Sequence, residues 1–158
     1  MYSPFVSVVV FMCGPAGSGK TTYARRLERD GMVRLSVDAE AWRRGITAMP
    51  LAPAVAADIE AGLRTQLLEH VASGTNVVVD LSFWSRRVRD DYRKLLAPAG
   101  VIPETVYLAT DRDTVLARLR ARRGGHGDDF ALTEQLAAEY FDHFEVPTPQ
   151  EGPLTVVR

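Results

Sequence analysis

Eight residues limit what this chain can fold into more than any other stretch. Gly14-Pro15-Ala16-Gly17-Ser18-Gly19-Lys20-Thr21 fits the pattern G-x-x-x-x-G-K-[ST] at every fixed position. The glycines let the backbone turn its N–H groups inward around an anion, with no Cβ in the way. Lys20 adds a point charge for the outer phosphates, and the Thr21 hydroxyl suits a hard divalent cation. Such a loop is built between a buried strand and a helix. Val6 to Cys13 is a nearly continuous apolar run of the kind a buried parallel strand needs. Thr22 to Arg29 follows, with Tyr23 and Leu27 four apart on one helical face. The helix opens at Lys20, so its positive end, with the N–H groups of Thr21 and Thr22, meets the same anion.

The rest of the chain repeats strand and helix, which argues for a parallel α/β sheet. Strands are expected at residues 5–13, 32–37, 76–80, 106–109 and 154–157, and helices at 20–30, 39–44, 54–72, 85–97, 112–122 and 133–144. The 54–72 helix carries Val55, Ile59, Leu63, Leu67 and Val71 at a spacing of four. Ser85 is placed to cap the next one. Gly124-Gly125-His126-Gly127 reads as a flexible loop. No repeat, linker or low-complexity tract interrupts the pattern.

The chain's 158 residues suit one domain with a sizeable core. A net charge of −1 gives no overall field toward nucleic acid or an anionic membrane. The single cysteine, Cys13, has no partner in the chain and reads as a small buried hydrophobe. The apolar N-terminal run lacks a basic n-region and a cleavage site, so it reads as a core strand. No stretch is long enough to span a bilayer. A cytoplasmic protein is expected. None of the three histidines has metal-ligand company, so no zinc site is expected.

Two carboxylates end apolar strands, Asp38 and Asp80, and ligands of open α/β sheets gather at those strand ends. Asp80, after Asn76-Val77-Val78-Val79, is placed to hold Mg²⁺ together with Thr21. Asp38 is placed to take the proton of an acceptor hydroxyl as it attacks a γ-phosphate. Arg118 and Arg122 share a helix face beside the glycine-rich loop, an arrangement that brings charge to equatorial phosphoryl oxygens when a lid shuts. Ser82, Phe83 and Trp84, with Trp42, offer walls for a small organic acceptor. The basic run Arg86, Arg87, Arg89, Arg93 and Lys94 reads mostly as a solvated face, with Arg89 singled out below.

Taken together, several segments resemble the small P-loop kinases. These are the loop followed by Leu35-Ser36-Val37-Asp38, then Val78-Val79-Asp80-Leu81-Ser82-Phe83-Trp84-Ser85 with Arg89, the Arg118/Arg122 pair, and the tail from Phe144 to Gly152. The nearest branch holds zeta-toxin-like kinases, chloramphenicol-phosphotransferase-like enzymes and polynucleotide 5′-hydroxyl kinases. The resemblance implies a P-loop NTPase fold with a five-stranded parallel sheet ordered 2-3-1-4-5, helices on both faces and a mobile arginine lid. It implies ATP, with GTP as the alternative nucleotide, and Mg²⁺. Lys20 and Asp38 would be catalytic, Asp38 as the base, with Arg118 or Arg122 as the catalytic lid arginine, Arg118 also on the nucleotide and Arg89 helping to shape the acceptor site. The tail around Pro147 to Gly152 would lie near adenine. Polynucleotide kinases carry an arginine three residues after the base to grip the acceptor's phosphate; here that position is Ala41. The expected acceptor is therefore a small molecule. A 5′-hydroxyl oligonucleotide kinase is the disfavoured rival, and an ATP-operated switch without an acceptor is the other. Oligomeric state has no signature in the sequence.

Overall fold

The computed structural model describes residues 6–47, 51–121 and 134–158. Its strands are β1 (Val9–Cys13), β2 (Val33–Ser36), β3 (Val77–Asp80), β4 (Glu104–Leu108) and β5 (Leu154–Val157). All neighbours are parallel, in the order β2-β3-β1-β4-β5. The helices are α1 (Lys20–Arg29), α2 (Val37–Arg43), α3 (Pro53–Ala72), α4 (Arg86–Leu96), α5 (Arg112–Ala121) and α6 (Glu134–Asp142). The expected fold class and strand order hold. The expected glycine-rich lid, with Arg122, lies outside the described residues.

Alternation along the central strands divides the core in two. Val9, Phe11, Cys13, Val77 and Val79 face α3 and α4, meeting Ile59, Leu63, Leu67, Tyr92 and Leu96. Val10, Met12 and Val78 face α1, meeting Ala24, Tyr23 and Leu27. Both faces of the sheet are thus covered, so its strands read as unbroken apolar runs. Among the described residues no helix is long and apolar enough to cross a membrane.

One boundary differs in a way that matters. Val37 is expected to prolong β2, but α2 begins there. The Ser36 hydroxyl accepts from Ala39 N at 3.1 Å and caps the helix. Asp38 therefore sits in the first turn of α2, one step beyond the strand, with its carboxylate at the favourable end of the helix dipole. The β-branched Val37 reads as strand in isolation; the serine before it decides otherwise.

Candidate active site

The sheet's carboxyl edge supplies the phosphate cradle. Gly17 (φ +85°) and Gly19 (φ +99°) occupy left-handed backbone that side chains disfavour. A Cβ at Gly17 would lie 2.9 Å from the Val115 carbonyl oxygen, so α5 packs directly against the loop. The loop is held from outside: Thr110 Oγ1 donates to Ser18 O at 2.7 Å, Arg118 Nη1 to Gly17 O at 3.2 Å, and Gly14 N to Ser82 O at 3.0 Å. Gly19 caps α1 without a side chain, and the first turn carries no acid. The helix end is left for an anion, whereas Ser36 and Ser85 close the ends of α2 and α4. Cys13, at the end of β1, is fully buried; burial above all pushes its thiol up to about 12, so it stays protonated and inert.

Around the cradle opens a cleft of about 780 Å³. Pro15, Ala16, Lys20, Asp38 and Asp80 line its phosphate end, and Ser82, Trp84, Tyr140 and Phe144 are among its outer walls. The two strand-end carboxylates, the P-loop lysine and the aromatic walls therefore meet, as their spacing in the sequence suggested. Lys20 Nζ lies 3.8 Å from Asp80 Oδ1, and the Thr21 hydroxyl donates to Asp80 Oδ2 at 3.3 Å. Asp80 Oδ1 is buried with no hydrogen-bond partner among the described residues. An orphaned buried carboxylate oxygen beside a threonine hydroxyl is a donor set that fits Mg²⁺.

Two expectations, those for Arg89 and Trp42, need correction. Arg89 does not reach the cleft. It is fully buried, with Nε and Nη2 forking onto Glu151 at 2.8 and 3.1 Å, and Nη1 donating to Phe83 O at 2.6 Å. Its role is to hold the wall. Phe83 borders the cleft but turns its ring into the core, stacked on Phe11 with centroids 4.5 Å apart. It does so with φ +50°, an unusual value for a bulky residue. Trp42 is half-buried and is not among the described cleft-lining residues.

Two groups escaped the sequence reading. Arg34, on β2, donates from Nε and Nη2 to Asp80 Oδ2 at 2.9 and 2.7 Å. Tyr140, His143 and Phe144 also line the cleft. Their spacing of three and four on the α6 segment is the sequence signal that would have found them.

Residues 9–147 match the model of the AAA domain family, and the chain belongs to that family. It is 43% identical over 128 residues to UPF0200 protein PAE1629 of Pyrobaculum aerophilum, covering 77% of this chain and 68% of that protein. The fold superposes on Kti12 of Chaetomium thermophilum in complex with ADP-AlF3 (TM-score 0.71, 18% identity, 94% of this chain and 88% of that one). It also superposes on a gluconokinase from Sinorhizobium meliloti 1021 (TM-score 0.61, 25% identity, 97% and 82%). These likenesses put the chain among P-loop proteins of kinase-like fold, as its motifs implied.

Proposed function

We propose that the protein is an ATP- and Mg²⁺-dependent kinase that phosphorylates a hydroxyl of a small molecule. The observation that carries this reading is the convergence of Lys20, Asp38 and Asp80 on one cleft with the P-loop at its floor. The loop amides and the α1 end bind the nucleotide phosphates, and Lys20 charges the outer ones. Asp38 accepts the proton of the acceptor hydroxyl. The acceptor oxygen bonds to the γ-phosphorus as the bond to the β–γ bridging oxygen breaks, and ADP leaves. Arg118, tied to the loop at Gly17, supplies positive charge beside the phosphates. Thr21 and Asp80 would hold magnesium, which when bound neutralises charge on the transferred group.

A small organic acceptor suits the aromatic outer walls of the cleft. An acceptor bearing a phosphate finds less support. Ala41, where polynucleotide kinases carry an arginine, is buried in the core.

The test is ATP consumption over a library of hydroxyl compounds, with mass detection of the phosphate added to any hit. One arm holds 5′-hydroxyl oligonucleotides and one holds no acceptor. A small-molecule hit supports the proposal. Phosphorylation confined to oligonucleotides, with activity falling steeply as salt rises, favours the rival acceptor. Absence of any calorimetric binding of Mg-ATP or Mg-GTP refutes the reading.

A further inference from the structure

We propose that Arg34 is a positioning residue for the metal-binding carboxylate. It compensates Asp80 through one oxygen alone, reserves the other for a divalent cation, and competes with that cation for the carboxylate's charge. The inference rests on the nucleotide-binding reading above.

The geometry is specific. Both Arg34 bonds, from Nε at 2.9 Å and Nη2 at 2.7 Å, end on Oδ2. The Thr21 hydroxyl donates to the same atom at 3.3 Å. Among the described residues Oδ1 receives no hydrogen bond, and Lys20 Nζ at 3.8 Å stands beyond hydrogen-bond reach of it. The Asp80 side chain is 1% exposed and that of Arg34 8%, so water does little to relieve the imbalance. An arginine placed only to neutralise a buried carboxylate gains most by forking across both oxygens. Here all the donors crowd one oxygen.

Register explains how the pair forms. Arg34 sits opposite Val78 on the neighbouring strand, and Ser36 sits opposite Asp80. Arg34 therefore reaches two residues along the same face of the sheet, the face covered by α1, and meets Asp80 at Oδ2, while Lys20 approaches Oδ1. A positive charge held there keeps the carboxylate oriented in the ligand-free protein. It also opposes a second positive charge at Oδ1.

Thermal unfolding of the full chain tests this, with MgCl₂ titrated at fixed ATP, and ATP with a chelator as the baseline. Wild type should rise in Tm on adding Mg-ATP. Arg34→Met should lower the ligand-free Tm, show a larger rise with Mg-ATP, and reach half-saturation at roughly 3–10-fold lower Mg²⁺. Arg34→Lys, which keeps the charge, should stay within about twofold of wild type. If Arg34→Met does not fold, Arg34→Gln, which keeps a donor for Oδ2 without the charge, should show the same downward shift. An unchanged Mg²⁺ midpoint in the uncharged variant, with Tm lowered equally in every condition, makes Arg34 merely structural and overturns the proposal. So does a shift in Arg34→Lys as large as in Arg34→Met. A wild type without any Mg-ATP response overturns the nucleotide reading itself, and this inference with it.

Discussion

Two buried arginine–carboxylate pairs lie on opposite faces of the sheet, and they are built differently. Arg89 and Glu151 match fork to fork, and Glu151 takes further bonds from Thr148 N at 3.0 Å and Arg93 Nη1 at 3.2 Å. Arg34 and Asp80 meet at one oxygen and leave the other bare. Among the described residues the first pair is nearly complete, with only Arg93 Nε left over in its surroundings. Burial pushes the Glu151 carboxyl up, but the Arg89 bonds and the Thr148 N–H outweigh it and hold the group at about 2. A closed network specifies shape; one with an orphaned buried oxygen is where a ligand is to be sought.

Substitutions on the two sides of the sheet should separate the two pairs. The largest effect is expected at Asp38, on the open side: Asp38→Asn should cut turnover by about 10²–10⁴ while ATP affinity by calorimetry stays within about threefold. Near-normal turnover removes Asp38 as the base. On the closed side, Glu151→Gln should cost ~3–5 kcal/mol in urea unfolding, because Arg89 is left charged and enclosed. A loss under about 1 kcal/mol would erase the distinction between the pairs.

Acid offers a third approach. Glu151 is held below its ordinary value of 4.5, so its contribution is complete above about pH 4.5 and fades as pH falls toward 2. Roughly 2 kcal/mol should be gone by pH 3, and the urea midpoint of Glu151→Gln should lack that share of the slope. The smallest effects concern the two serine caps, Ser36 before Asp38 and Ser85 before the helix of Arg89. Each serine-to-alanine change should cost about 1 kcal/mol in unfolding. Only Ser36→Ala should also lower turnover, because only that cap seats the proposed base.

The sequence exposed whatever is local. The phosphate loop is chemically dense and contiguous, and strand-end carboxylates follow from an apolar run meeting an acid. The Ser85 cap was equally plain. What stayed hidden depends on partners brought close by the sheet. Arg34 stands within an apolar run, where one charged residue reads as facing solvent; only the β2–β3 register carries it to Asp80. Arg89 looked like a candidate for substrate because the partner that claims it, Glu151, lies 62 residues away. Helix α2 begins two residues earlier than expected because strand propensity at Val37 yields to the Ser36 cap.

Three consecutive carbonyls along the cleft wall are claimed by three separate parts of the chain. Ser82 O takes Gly14 N, Phe83 O takes Arg89, and Trp84 O takes Glu145 N at 2.8 Å. That stretch is stapled like the spine of a book, and its backbone is tied down at three successive residues. If the proposed kinase reading holds, new acceptor preferences in relatives of this chain would then arise by exchanging outward-facing groups such as Ser82 or Trp84. Adding or deleting a residue there would shift the register of all three staples at once.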